Sequence, residues 1–276
     1  MAQLTLVKVG GGIVEDEASL QGLLDRFVRI GGPKVLVHGG GRSATRLADR
    51  LGIAQTMIGG RRVTDPETLK VVTMVYAGLV NKNIVAQLQK RGENALGLTG
   101  ADMNVILSHR RPVKQVTMPD GSVQEVDYGF VGDVDHVDAV RLASLLGSGI
   151  VPVLSPIGHD GDGHLLNTNA DTIAAETAMA LAGVHDGGQE ERTFSVRLMF
   201  CFEKKGVLRN PDDDDSVIPV ITRAELPGLV SSGVVSGGML PKLENAFRAI
   251  AAGVAEVVIT CTDAIDDPNA GTRLLP

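Results

Sequence analysis

Five stretches of this 276-residue chain carry residue types that could do chemistry together. Lys8 lies inside the apolar run Leu4-Thr5-Leu6-Val7-Lys8-Val9 and is followed by Gly10-Gly11-Gly12. A lysine in a buried strand is costly unless an anion meets its ammonium. Glycines at a strand's end let a backbone turn tightly and let an anion reach the N–H groups. Two readings fit this stretch alone: a phosphate site at a sheet edge, or a plain strand-to-helix turn with a snorkelling lysine. The second stretch, Ser236-Gly237-Gly238-Met239-Leu240-Pro241-Lys242, puts glycines before a lysine in a first helical turn. There N–H donors, helix dipole and ammonium converge on one anion. The others are Val37-His38-Gly39-Gly40-Gly41, the arginine turn Gly59-Gly60-Arg61-Arg62-Val63, and the polar cluster Asn167-Thr168-Asn169-Ala170-Asp171. Asp171 suits the positive end of a helix, and simple capping by Asn169 would account for part of the same cluster.

Other chemistries are excluded by what surrounds these residues. No Gly-Lys-Ser or Gly-Lys-Thr follows either glycine turn, and neither turn has the dinucleotide-binding spacing. No Ser/His/Asp set has motif support, and no general base stands out. Phosphoryl transfer to a carboxylate needs no base, because a carboxyl with a pKa of ~4.3 is already ionised at neutral pH. It needs positioning and positive charge around the moving group, which two lysines and several N–H groups supply. His159-Asp160-Gly161-Asp162-Gly163-His164 departs from the calcium-loop pattern and reads as a hairpin turn. No metal site is expected.

The elements that must position these residues alternate strand, glycine turn and helix. Leu20, Leu23, Leu24, Phe27 and Ile30 are spaced as a helix that Gly31-Gly32-Pro33 stops. Lys34 to Val37 is a second strand. Two strand–turn–helix units side by side build a parallel sheet with both turns on one edge. Thr64-Asp65-Pro66-Glu67 reads as a capping box opening a long helix to about Arg91, nearly ~40 Å at ~1.5 Å per residue. Its Ala77-Gly78 centre suits close contact, either with another subunit or within the chain. Val105 to Asp127 reads as antiparallel strands with Pro119-Asp120-Gly121 at the turn, continued through Val134 as a flap beside the sheet edge. Ser195 to Phe202 and Glu256 to Thr260 are later strands. The polar stretch Gly183 to Arg192 divides two expected lobes, 1–182 and 183–276.

Composition narrows the partners. A formal charge of −7 and few aromatics argue against nucleic acid or an anionic membrane. No run of about 20 apolar residues is present, and the chain opens directly in a strand without a signal peptide. Cys201 and Cys261 have no metal-type spacing and fit reduced thiols in the cytoplasm.

Taken in order, Val7-Lys8-Val9-Gly10-Gly11, Val37-His38-Gly39-Gly40-Gly41, Arg62-Val63-Thr64, Val80-Asn81-Lys82, Asn167 to Asp171 and Gly237 to Lys242 resemble the amino-acid kinase family over nearly the whole chain. The resemblance implies an α/β fold, a three-layer αβα sandwich with a mainly parallel central sheet. It implies an acyl-amino-acid lobe in 1–182, an ATP lobe in 183–276, and a homodimer built on the long helix. Lys8 and Lys242 would stabilise the transferring phosphoryl group, with Asp171 orienting both. Gly10 and Gly11, with Gly237, Gly238 and Met239, would hold the nucleotide. Gly40 and Gly41 would meet the acceptor carboxylate; Arg62 and Asn167 would bind the α-carboxylate. ATP would bring Mg²⁺ on its phosphates. The implied reaction phosphorylates the side-chain carboxylate of N-acetyl-L-glutamate in arginine biosynthesis. Thr99-Gly100-Ala101-Asp102-Met103-Asn104 and Val126-Asp127-Tyr128-Gly129-Phe130 resemble a bacterial subgroup associated with N-succinyl-L-glutamate. Phe202-Glu203-Lys204-Lys205 stands where many relatives carry an aspartate. The first strand begins near Leu4 with no helix before it, which implies no feedback by arginine. A sibling kinase, or a nucleotide sensor on the same fold, are the competing readings; the joint presence of Lys8, Asp171 and Lys242 speaks against a sensor.

Overall fold

A computed structural model of the protein describes residues 1–118, 121–185, 192–235 and 239–276, with the side chain of residue 241 left aside. Eight strands form the central sheet: β1 (Ala2–Val9), β2 (Lys34–His38), β3 (Ala95–Leu98), β4 (Val151–Leu154), β5 (Phe194–Phe202), β6 (Val220–Thr222), β7 (Glu256–Cys261) and β8 (Thr272–Leu275). Their order is β6-β8-β7-β5-β1-β2-β4-β3. All neighbours are parallel except β7 and β8. The sheet runs unbroken through both expected lobes, because β1 pairs along its whole length with β5.

Strand parity divides the core into two layers. On β1, Leu4 and Leu6 join one apolar cluster with α5 (Ala139–Gly147), α6 (Ala170–Ala182), α7 (Leu226–Ser231) and α8 (Met239–Ala251). Val7 and Val9 join the other with α2 (Glu17–Phe27), α3 (Gly41–Arg50) and α4 (Pro66–Lys90). Period-two alternation puts Lys8 on the face of Leu4 and Leu6, towards α6. The expected αβα sandwich is the observed one.

The long helix α4 is present and unbroken, but its middle, Met74–Val80, is a π-helix. A π segment winds wider than the α-helical period and frequently sits at functional sites. The helix is also long and apolar enough to cross a membrane by length and composition alone, with 44% of that window buried in the fold. Its start corrects the expected capping box. The cap is Asp65, whose side chain accepts from the Thr68 amide at 2.7 Å. Thr64 is buried and turned to the neighbouring wall instead, where its Oγ1 donates to the Arg62 carbonyl.

The segment beside the sheet edge is only partly a flap. Ile106–Arg110 and Gly132–Val137 lie antiparallel in a four-stranded sheet with Ile157–His159 and Leu165–Asn167. Lys114–Thr117 and Val123–Val126 alone form a separate, largely exposed hairpin. The turn expected at Pro119-Asp120-Gly121 lies partly outside the described residues, as does most of the stretch expected to divide the lobes. The His159 to His164 segment is the hairpin turn expected of it. The loop Asp212 to Asp215 is exposed, with Asp214 and Asp215 paired to Lys204 and Lys205.

Candidate active site

The C-terminal ends of β1 and β2 deliver the two glycine turns to one place. Gly10 leads into α1 (Gly11–Glu15), and Gly40 leads into α3. The turns touch: a Cβ on Gly11 would lie 3.4 Å from the Gly40 nitrogen, and one on Gly39 would lie 3.1 Å from the Gly11 nitrogen. A side chain at Gly39 would be tight against the Gly11 backbone, so the small residue keeps the two turns close. The Gly10 amide donates to the Cys201 carbonyl at 3.1 Å, and the Gly39 amide to Val9. This corrects the role expected of Gly10: its N–H is spent tying β1 to β5, so it shapes the turn rather than donating to phosphate. The amides of Gly11, Gly40 and Gly41 donate to no backbone carbonyl among the described residues.

Lys8 and Asp171 meet above this edge. Asp171 sits in the first turn of α6, capped by Asn169, whose side chain accepts from the amides of Asp171 and Thr172. Its Oδ1 lies 2.7 Å from Lys8 Nζ, and both side chains are largely buried. Asp171 was expected to orient both lysines; Lys242, in the first turn of α8, makes no matching ion pair with it among the described residues. Its ammonium instead lies 3.6 Å from the centroid of the Phe202 ring. Burial lowers the Lys242 pKa; Asp171 raises it and Lys8 lowers it further. Asp171 therefore reaches Lys242 through its field. Met239 opens α8, partly buried against the core. Gly237 and Gly238 lie outside the described residues.

A cleft of about 210 Å³ opens beside the glycine turns, lined by Gly40, Gly41, Arg61, Arg62, Tyr76 and Asn167 among others. Four of the expected acceptor-site residues are thus brought together. Arg62 is 8% exposed. It donates to the Gly41 carbonyl and the Thr45 hydroxyl at 2.9 Å each, and to the Gln55 amide oxygen. All three acceptors are neutral, so a buried guanidinium faces the cleft without a carboxylate partner among the described residues. Asn167 is held by the same wall: its amide nitrogen donates to the Thr64 hydroxyl at 3.0 Å, and its backbone N–H to Phe130. Thr64 and Phe130 exchange further backbone bonds through Tyr128 and Gly129.

Three contributors had no role assigned from the sequence. Tyr76, one apolar position in the helical pattern, is turned by the π segment against the Gly40–Gly41 turn; a Cβ on Gly40 would lie 3.0 Å from its ring. Burial raises its phenol pKa while Arg62 lowers it. His38 is wholly buried beneath the turn, and burial pushes its pKa down to about 4. Its Nε2 faces the Asn81 side-chain nitrogen at 3.1 Å, so the ring accepts there and its Nδ1–H donates to the Gly39 carbonyl at 2.8 Å. The Arg61 side chain lines the cleft with no hydrogen bond or ion pair among the described residues. Its pKa is lowered, first by partial burial and then by neighbouring Arg111.

Known proteins share this arrangement. The amino acid kinase family model matches residues 3–185. An acetylglutamate kinase of Bacteroides thetaiotaomicron is 63% identical over 272 residues, which is 99% of this chain and 98% of that protein. The solved structure of smu.665 from Streptococcus mutans has a TM-score of 0.74 at 27% identity and covers 98% of both chains. A carbamate kinase of Giardia lamblia has a TM-score of 0.67 at 14% identity, over 99% of this chain and 98% of that one, and shares the fold. With two abutting glycine turns, a lysine–aspartate pair at the sheet edge and a family match across more than half its length, the chain belongs to the amino acid kinase family.

Proposed function

We propose that this protein transfers the γ-phosphoryl group of MgATP to the side-chain carboxylate of N-acetyl-L-glutamate, as an acetylglutamate kinase in arginine biosynthesis. A carboxylate oxygen attacks the γ-phosphorus, the bond to the bridging oxygen of ADP breaks, and an acyl phosphate forms; no proton moves. The observation that carries the reading is Arg62, a buried guanidinium with only neutral partners, in the same cleft as Gly40 and Gly41. Such a group is matched to a substrate carboxylate, and Asn167 stands on the same wall. The Gly40 and Gly41 amides then face the acceptor oxygens. Gly11 together with Lys8 and Lys242 meets the charge on the moving phosphoryl group, where preorganised donors act most strongly. Nucleotide binding is also assigned to Gly237, Gly238 and Met239 in this reading. No group of three or more His, Cys, Asp or Glu residues that could hold a metal occurs among the described residues. In this reading the magnesium ion comes with the nucleotide and sits on its phosphates.

Residues 1–182 form the acyl-amino-acid lobe and 183–276 the nucleotide lobe in this reading. The homodimer is built on α4, supported by Met74 and Leu79, which are 52% and 67% exposed on its outer face. In this reading the enzyme works in the cytoplasm with small molecules, not on nucleic acid or a membrane.

Arg61 favours a second acceptor, N-succinyl-L-glutamate, because an unpaired guanidinium in the cleft suits a second carboxylate on the acyl group. One assay separates the readings: ADP release with MgATP and N-acetyl-L-glutamate, N-succinyl-L-glutamate or L-glutamate, with hydroxylamine trapping the acyl phosphate. Turnover of an N-acylated glutamate, abolished in Lys8→Ala, supports the kinase. A preference for the succinyl acceptor that disappears in Arg61→Ala assigns the acyl group. No turnover of any of the three overturns the proposal.

A further inference from the structure

Phe202 ends β5 where the two lysines converge, and the phosphoryl-transfer reading gives it no task. Its position follows from strand parity. Phe194, Val196, Leu198, Phe200 and Phe202 all belong to the cluster that contains Leu4 and Leu6. Lys8 pairs in register with Phe200, so Phe202 stands one same-face step beyond it, at the sheet's C-terminal edge. The Phe200 ring lies parallel to that of Phe202, 6.2 Å away with 3° between planes. Phe202 is 9% exposed. Against its ring lie two ammonium groups, Lys242 at 3.6 Å and Lys8 at 4.9 Å from the centroid.

Electrostatics makes this arrangement informative. Two like charges share a half-buried site, and the one carboxylate in ion-pair contact there among the described residues, Asp171, is paired with Lys8. The charges facing Lys242 are Asp171 of α6, Lys8 of β1 and Glu203 just after β5; the carboxylates favour its ammonium form, while Lys8 and burial oppose it. The negative face of an aromatic ring attracts a cation without carrying charge itself. A carboxylate in the same place would hold the ammonium more strongly, and would also repel an incoming triphosphate. A ring can yield the ammonium to phosphate oxygens with no ion pair to break.

We propose that Phe202 is a positioning residue, whose ring keeps the Lys242 ammonium charged and beside Lys8 until the nucleotide takes it over. The inference rests on the kinase reading, in which both lysines meet the transferring phosphoryl group. An alkyl side chain of similar bulk would fill the space and leave Lys242 without that partner.

The test is competitive acetylation of the intact protein with trace acetic anhydride over a pH series, read at Lys242 by mass spectrometry. Lys8 serves as the internal comparison. Phe202→Leu raises labelling of Lys242 at mildly alkaline pH several-fold, up to about tenfold. Phe202→Tyr restores native labelling. Pentafluorophenylalanine at position 202 keeps the ring's shape, removes its negative face and behaves as the leucine variant. In steady-state kinetics, Phe202→Leu lowers kcat and moves its alkaline limb to lower pH, while KM for the acyl-amino acid holds. Native labelling of Lys242 in the folded leucine and fluorinated proteins overturns the inference. Should native protein turn over no acceptor, the kinase reading fails, yet the labelling arm still decides what Phe202 does to Lys242.

Discussion

Lys8 Nζ and Asp171 Oδ1 lie 2.7 Å apart, joining the end of the first strand to the first turn of α6. The contact compensates charge without forming a well-directed hydrogen bond, and Oδ1 is otherwise buried without a partner. The lysine stays extended towards the glycine turns because its counter-charge comes from above the sheet edge, on a helix whose dipole also favours the carboxylate. In an apolar strand the same lysine would have no other anion to meet.

Asp171→Asn keeps the shape and removes the charge. Lys8 is then buried without compensation, and loss of one partner of a buried pair costs up to about 3 kcal/mol. The expected outcome is a lower midpoint in urea unfolding and a kcat for ADP release reduced by about 10²-fold, with acceptor KM little changed.

Arg62→Lys keeps a positive charge but cannot reproduce the fork that serves Gly41, Thr45 and Gln55 at once. A charge-assisted contact to the substrate carboxylate is worth about 1.5–3 kcal/mol. The KM for the acylated glutamate should rise by roughly 10–100-fold, with the KM for ATP unaltered. Equal effects on both would place Arg62 outside the acceptor site.

Gly40→Ala brings a methyl group to 3.0 Å from the Tyr76 ring. Overpacking of this kind costs about 1–3 kcal/mol, and here it also displaces the amides that face the acceptor carboxylate. A reduced kcat is expected. The double variant Gly40→Ala with Tyr76→Leu, which makes room, recovers stability more than activity.

His38 sets a pH dependence of stability. Its folded pKa is pushed down to about 4 from the ordinary 6.5 by burial. Between those values the unfolded chain binds a proton that the folded one does not, so stability falls as pH drops through about 6.5 towards 4. The contribution reaches about 2 kcal/mol at pH ~5. His38→Gln should flatten the difference between urea midpoints measured at pH ~7 and ~5. An unchanged slope would show that other groups carry it.

Much of the architecture is written in local sequence. The near-continuous apolar runs of Leu4 to Val9 and Val35 to Val37, with glycines after each, already point to buried parallel strands with turns on a common edge. Neither a strand period nor a glycine turn depends on distant contacts. The candidate residues were equally local, since Lys8, Asp171, Arg62 and Lys242 are polar groups in settings that burial makes costly unless they meet a partner.

What the tertiary structure alone decided are relationships between distant segments. Gly10 loses its amide to Cys201 because β1 pairs with β5, and no feature of the glycine run announces that partner. Thr64 gives up the cap to Asp65 because Asn167 meets it across the wall. Tyr76 reaches Gly40 through a π-helical stretch, which a 3.6-residue periodicity cannot reveal. Lys242 rests on the Phe202 ring at the end of β5 rather than in an ion pair with Asp171. A sequence specifies which residues are costly to bury; only the packed chain determines which partner each of them meets.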